Sequence, residues 1–311
     1  MIKNTSVEVA IESNQETKSI PRRHFLARPV VYKLGIWGIG YLPTWLSYWF
    51  VRRIAEISYV FYKRAGENVK KNLRRVFPDM HDRDIASLAL NTFRNYSTYL
   101  VDYGRFKSIE KDSLLEAIKR FDGMENLNTA LVRGKGVVLL TGHLGNWELG
   151  AVFVGKHNIK INVVTFRDGI EAIDDIRERY RKQHNVNTVI LGDSPFATLE
   201  LANALQRNEV VAMLVDRSRI GPGNDTGNSI GVNFFGKTAH FPGGPFALAR
   251  VTGAAILPAV IVKDGNGYRV IVEKPVIIEN EETGQYAQDI IKLFERRIRE
   301  YPDQWYNFVE I

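Results

Sequence analysis

Apolar and polar positions change their rhythm along this chain near residue 125. Between Leu46 and about Val76 apolar residues return every three or four positions among Arg, Lys and Glu, which predicts helix. "FPDM" at 77–80 stops it. Asp82 or Asp84 can cap the next helix, expected over about Arg83–Gly104, and a third is expected from about Lys111 to Phe121. Residues 1–20 are polar and aperiodic and read as disordered.

Beyond residue 125 short apolar runs take over. "GVVLLTG" (136–142), "INVVTF" (161–166), "NTVILG" (187–192) and "VVAMLV" (210–215) read as buried strands. Helix-like stretches separate them at Trp147–Lys156, Ile170–His184 and Pro195–Gln206. "GGPFALARVTGA" reads as helix, "AILPAVIVK" as strand, and "YRVIVEKPVII" as a strand paired through a hairpin at "DGNG". Thr283–Tyr301 is a closing amphipathic helix. Alternating strands and helices imply parallel pairing. The predicted class is therefore α/β, a mostly parallel central sheet flanked by helices, behind a helical N-terminal region. The expected division is a polar segment over 1–28, a helical region with an interfacial anchor over 29–125, and an α/β core over 126–311.

Composition narrows the chemistry. The chain has 311 residues and no cysteine, which excludes disulfides, thiolate metal sites and a cysteine nucleophile. Its net charge of +7 is concentrated early: residues 1–80 hold fourteen Lys/Arg against six Asp/Glu. Such asymmetry points to an anionic partner surface, nucleic acid or membrane. Leu34–Val51 decides for the membrane. It has 18 residues without a charge, three tryptophans and Pro43, with Arg22, Arg23, Arg28 and Lys33 before it and Arg52 and Arg53 after. A spanning helix needs about 20 apolar residues. This run is shorter and broken, and its aromatics suit the headgroup level. It reads as a monotopic or re-entrant segment, residues 30–53 lying on anionic lipid; a buried core helix is the alternative.

The chemistry gathers at "TGHLGNWE", residues 141–148. A strand ends at Thr141-Gly142 and a helix begins near Asn146, so His143 lies at the carboxyl end of a strand, where α/β sheets place their sites. Gly142 and Gly145 permit a sharp turn, Asn146 suits a helix cap, and Glu148 falls in the first helical turn. A turn that folds the imidazole back towards Glu148 would fix its tautomer and leave the other ring nitrogen a general base. Backbone N–H groups at the helix start could serve an oxyanion. With no G-x-S-x-G motif and no cysteine, the base would act on a substrate hydroxyl directly. A structural reading, His143 as a helix-cap residue and Glu148 as a solvated acid, stands beside this one. The spacing lacks the histidine pair of H-E-x-x-H, so no metal is expected.

In these pieces the sequence resembles the bacterial lipid A biosynthesis acyltransferases, a group that includes the lauroyl and myristoyl transferases and the phosphatidylinositol mannoside acyltransferases. "TGHLGNWE" carries the H-x4-D/E dyad of that family. "VVTFR" matches a strand leading to a basic residue, Arg167, and "VAMLVDRS" a strand ending in an acidic one, Asp216. "VNFFGKTAHFPGGPFALARVTGAAILPAVIV" and "YPDQWYNF" match its later segments. The resemblance covers about residues 30–308 and implies a glycerolipid-acyltransferase-like fold at the cytoplasmic face of the bacterial inner membrane. It implies transfer of a fatty acyl chain from acyl-carrier protein or acyl-CoA, a co-substrate and not a resident cofactor, to a hydroxyl of a membrane glycolipid such as a lipid A precursor. His143 would be the base and Glu148 its partner. Arg167 would meet an anionic headgroup or donor phosphate. Asn146 and the pair Asp216–Arg217 would shape the cleft, and Gly243 and Gly244 would let the backbone approach the substrate. A hydrolase using the same dyad on water, and a lipid-binding protein of the same fold, are the alternatives. No nucleic-acid partner is expected.

Overall fold

A computed structural model describes residues 42–105, 116–165, 178, 181–191, 196–217, 229–280 and 282–311. The chain opens with three helices, α1 (Thr44–Phe61), α2 (Lys63–Val76) and α3 (Asp82–Arg105). The expected Leu46–Val76 helix is thus two, divided at Tyr62. The predicted residues 34–41, and the helices placed at 111–115 and 170–177, lie outside the described residues.

The rest follows the order β1 (Ile118–Asp122), α4 (Met124–Val132), β2 (Val137–Thr141), α5 (Trp147–Lys156), β3 (Ile161–Thr165), β4 (Val186–Ile190), α6 (Ala197–Gln206), β5 (Val210–Leu214), β6 (Ser229–Phe234), β7 (Lys237–Pro242), α7 (Gly244–Thr252), β8 (Ala255–Asp264), β9 (Gly267–Val272) and α8 (Thr283–Glu300). Seven strands form one sheet in the order β1-β9-β8-β2-β5-β3-β4. All neighbours run parallel except the β8–β9 hairpin. The protein is therefore α/β with a mostly parallel sheet flanked by helices.

Three details depart from the sequence reading. Residues Ile118–Asp122 extend the sheet as β1 beside β9, where helix was expected. Tyr268–Ile271 supply its register, a non-local contact that no local period reveals. β6 and β7 form a separate antiparallel ribbon around Phe235, whose φ of 50° and that of Gly236, 77°, make the turn. Strand β9 stops at Val272, although the apolar run continues to Ile278.

Local sequence explains several joints. Asn158, Asn185 and Asn208 all hold left-handed backbone, φ 59°, 59° and 61°, just ahead of β3, β4 and β5. Asparagine tolerates that conformation better than other side chains with a Cβ. Helix α8 buries Ala287, Ile290, Ile291, Phe294 and Ile298, a three- and four-residue spacing that covers one sheet face. The other face is covered by α4 and α5, with Val137, Leu149, Val152, Ile161 and Val210 in its core. A third cluster, Ala55, Val69, Leu73, Ile85, Ala89 and Phe93, joins α1, α2 and α3.

No helix among the described residues is long and apolar enough to cross a membrane. Helix α1 nevertheless leaves Trp45, Trp49, Phe50, Ile57, Val60 and Phe61 more than half exposed.

Candidate active site

The site is built where β2 leaves the sheet. Thr141 ends the strand, the chain turns through Gly142–Gly145, and Asn146 starts α5. Both glycines are required by close approach. A Cβ on Gly142 would sit 3.2 Å from the Asp216 carboxyl carbon. On Gly145, whose φ is +67°, it would sit 2.0 Å from the Ile261 carbonyl oxygen. Asn146 caps the helix, accepting from the Leu149 N–H at 3.0 Å, and donates to the Tyr268 hydroxyl at 3.2 Å. It is 1% exposed, so its role is to fix the turn rather than to meet a ligand.

The turn delivers His143 to Asp216, which follows β5. Imidazole Nδ1 lies 2.7 Å from Asp216 Oδ1, and the His143 backbone N–H donates to Oδ2 at 2.8 Å. Oδ2 also accepts from the Trp305 indole N–H at 3.0 Å. Burial by itself would push the Asp216 carboxyl up. The charge of a protonated His143 and the hydrogen bonds it donates, with Arg217 nearby, outweigh that and hold it at about 2. An ionised Asp216 accepts from Nδ1–H, so Nε2 carries the lone pair of the neutral ring. The Trp147 and His143 rings meet edge to face, centroids 5.3 Å apart.

The carboxylate that engages His143 is therefore Asp216, and the expected His143–Glu148 pairing is corrected. Glu148 sits in the first turn of α5, is 4% exposed, and binds Arg181, whose Nη2 and Nε reach its two oxygens at 2.6 and 3.1 Å. Helical geometry explains the change: α5 carries Glu148 along its own axis, whereas Asp216 emerges from β5, which pairs with β2 in register to Thr141↔Leu214. Asp216 is no direct substrate ligand either, being 2% exposed behind His143. Nor does it chiefly pair with Arg217, which donates to the Tyr306 carbonyl at 2.7 Å and to Asn307 Oδ1 at 3.1 Å. The turn's own N–H groups are largely engaged, those of His143, Gly145, Asn146 and Leu149 going to Asp216, the Gln304 carbonyl, the Ile261 carbonyl and the Asn146 side chain. Arg167 lies outside the described residues.

A cavity of about 1090 Å³ opens in front of His143. Trp147, Glu148, Arg181, Arg217 and Tyr306 give it polar character there. Its interior is apolar. Val163, Ala212, Leu139 and Leu257 stand in one row across β3, β5, β2 and β8, and all four line it. Leu139 and Val163 are only half-buried in mid-sheet because this space lies above them. Gly150 on α5 and Ala212 keep the passage wide. Gly244, at the start of α7, lines the cavity too, and no atom lies within 4 Å of where its Cβ would be; Gly243 precedes it as the helix cap. Phe234 and Phe235 instead pack in the core against Trp305.

Residues 18–310 fit the family model of the bacterial lipid A biosynthesis acyltransferases. The chain belongs to that family. Among its relatives, the phosphatidylinositol mannoside acyltransferase of Mycobacterium tuberculosis is 25% identical over 279 residues, which are 88% of this chain and 85% of that one. The lipid A biosynthesis palmitoleoyltransferase of Escherichia coli is 24% identical over 88% of this chain and 89% of its own. For the lauroyltransferase of the same organism the figures are 26%, 90% and 84%. As an acyltransferase the protein needs an acyl donor and a lipid acceptor, and the cavity that His143 lines is mostly apolar.

Sequence reasoning placed His143, Glu148, Arg217 and Gly244 among the expected site residues, and all four line this cavity. It missed Asp216 as the histidine's partner and missed Arg181. Asp216 carried a usable signal: an acidic residue one position past a buried strand, in a sheet where β5 neighbours β2. Arg181 carried none, since "RERYRKQ" offers several equivalent basic positions.

Proposed function

We propose that this acyltransferase moves a fatty acyl chain from a thioester, borne by acyl-carrier protein or coenzyme A, to a hydroxyl of a glycolipid at the cytoplasmic face of the bacterial inner membrane. His143 is the general base. The observation that carries this reading is an imidazole fixed at Nδ1 by an ionised, buried Asp216, with an apolar cavity in front of it.

In this scheme Nε2 takes the acceptor hydroxyl's proton as its oxygen attacks the thioester carbonyl. The carbon–sulfur bond then breaks, and the leaving thiolate recovers the proton from the imidazolium. Asp216 stabilises that imidazolium and remains ionised throughout. The acyl chain occupies the passage over Val163, Ala212, Leu139 and Leu257, where burial stabilises it by about 0.8 kcal/mol per methylene. Arg217, at the cavity, and Arg167, two residues past the end of β3, are assigned to an anionic headgroup or donor phosphate. Two of the relatives bear names of lipid A transferases and another that of a phosphatidylinositol mannoside transferase, which supports a glycolipid acceptor.

The exposed Trp45, Trp49, Phe50 and Ile57 on α1, with exposed Arg52 and Arg53 beside them, support an interfacial helix lying on anionic lipid. This extends the membrane segment past residue 53.

The test pairs purified protein with palmitoyl-CoA and palmitoyl-acyl-carrier protein, in vesicles containing lipid A precursors or phosphatidylinositol mannosides. Mass spectrometry of the lipids should show one added acyl increment, absent with His143→Ala. Release of free palmitate that no acceptor diverts would refute transfer.

A further inference from the structure

The closing segment of the chain is bound into the site more closely than its distance in sequence would suggest. After α8 a short turn at Pro302–Gln304 leads to Trp305, Tyr306 and Asn307. The Gln304 carbonyl accepts from the Gly145 N–H at 3.0 Å, and its side chain clamps the Lys263 backbone, N–H and carbonyl both at 2.8 Å. The Tyr306 N–H donates to the His143 carbonyl at 2.7 Å. Asn307 Nδ2 donates to the Asp216 carbonyl at 3.2 Å. The segment thus grips the His143 turn and the Asp216 strand end together, and Trp305, 3% exposed, lies between them.

We propose that Trp305 is a positioning residue for the His143–Asp216 pair, its indole N–H holding Asp216 Oδ2 so that Oδ1 faces the imidazole. The inference rests on the transfer reading above. A carboxylate on one Cβ–Cγ bond can rotate, and only one oxygen may face Nδ1. The other, Oδ2, takes two N–H donors from segments far apart in sequence, the His143 backbone and Trp305. The backbone donor belongs to the turn being positioned, so the indole is the anchor that comes from outside it. Hydrogen bonds to an ionised acceptor are stronger than neutral ones. A hydrogen bond donated to the charged form of a carboxyl favours that form.

The alternative is that Trp305 only fills the core against Phe234 and Phe235. Two substitutions separate these. Trp305→Phe keeps an aromatic ring and removes the N–H. Trp305→His keeps an N–H at the corresponding ring position and loses the six-membered ring. Positioning predicts that kcat with palmitoyl-CoA falls by about 10- to 100-fold in Trp305→Phe, the loss of one hydrogen bond to a charged group, while KM stays. It predicts that Trp305→His is the more active of the two although it melts at the lower temperature. In an Asp216→Asn background, Trp305→Phe should cost less than about threefold, because the two act through one contact. Activity that instead follows melting temperature, or losses that simply multiply, would overturn the proposal. A second readout does not need turnover: carbon-13 titration of the Asp216 carboxyl should move up from about 2 in Trp305→Phe and less in Trp305→His. If no variant, wild type included, turns over palmitoyl-CoA or palmitoyl-acyl-carrier protein, the transfer reading fails and this titration still decides: an unmoved carboxyl in Trp305→Phe overturns the positioning role.

Discussion

Replacing Asp216 with asparagine changes one atom's chemistry and little of the shape. Oδ2 accepts from two N–H groups, the His143 backbone at 2.8 Å and the Trp305 indole at 3.0 Å. An amide nitrogen there would set donor against donor twice, so the asparagine must present its oxygen to them. Its NH2 then faces Nδ1 across 2.7 Å. Nδ1 has to accept, the ring proton moves to Nε2, and the base points its hydrogen at the substrate. The expected loss is about 10⁴-fold in kcat, the size seen when an aspartate that orients a histidine becomes asparagine in a hydrolase triad. Stability changes too. Holding the carboxyl at about 2, below its ordinary 3.8, corresponds to about 2 kcal/mol in favour of the fold. A depressed carboxyl gives that stability in full above the unfolded value, and it is lost as pH falls through the folded one. The variant should therefore melt lower at pH 7, and its deficit should shrink between about pH 4 and pH 2. Single-turnover transfer from palmitoyl-CoA, with melting followed across pH, measures both. An Asp216→Asn protein within tenfold of wild type, beside an inactive Glu148→Gln, would refute the tautomer argument and return Glu148 to the histidine.

Other outcomes follow from the same geometry. Gly145→Ala should cost about 3 kcal/mol or more, because its Cβ meets the Ile261 carbonyl at 2.0 Å, whereas Gly253→Ala, left-handed but with nothing within 4 Å, should cost only about 1 kcal/mol by thermal melting. Gly150→Leu should shift the preferred donor from palmitoyl towards decanoyl in a chain-length series, since a Cβ there faces the cavity with Ile261 Cγ2 at 3.5 Å; an unchanged profile would place the chain elsewhere. Trp49→Ser should weaken sedimentation with anionic vesicles by about tenfold or more, the loss of one large apolar side chain from the bilayer, without altering the melting temperature. Asp102→Leu should destabilise by about 2 kcal/mol, because it removes the acceptor of the half-buried Tyr48 and the buried Tyr268 hydroxyls and the carboxylate 3.4 Å from Lys263 Nζ.

What could be read before the fold was known follows from how local each signal is. Strand β2 and helix α5 were placed to within a residue, because Gly136, Gly142 and Asn146 punctuate an apolar run on the spot. His143 was legible for the same reason. Asp216 was visible as a residue at a strand end but not as the partner of His143, since the adjacency of β2 and β5 is made across a crossover that includes α5, β3, β4 and α6. Glu148 was favoured because it is near in sequence; the first turn of α5 carries it to Arg181 instead. β1 was misread as helix for want of β9, and the β6–β7 ribbon was missed because "VNFFGKTAHFP" turns at Phe235 and Gly236 without an Asn-Gly signature.

Because Asn307 and its neighbours hold Asp216 from 91 positions further along the chain, the order of synthesis matters. A growing polypeptide can complete every strand of the sheet and still have a loose imidazole. The His143–Asp216 pair is clamped only once the Gln304–Asn307 stretch has been made and has folded back onto it, so a fragment ending before residue 304 would keep every strand of the sheet and lack the hold on the pair.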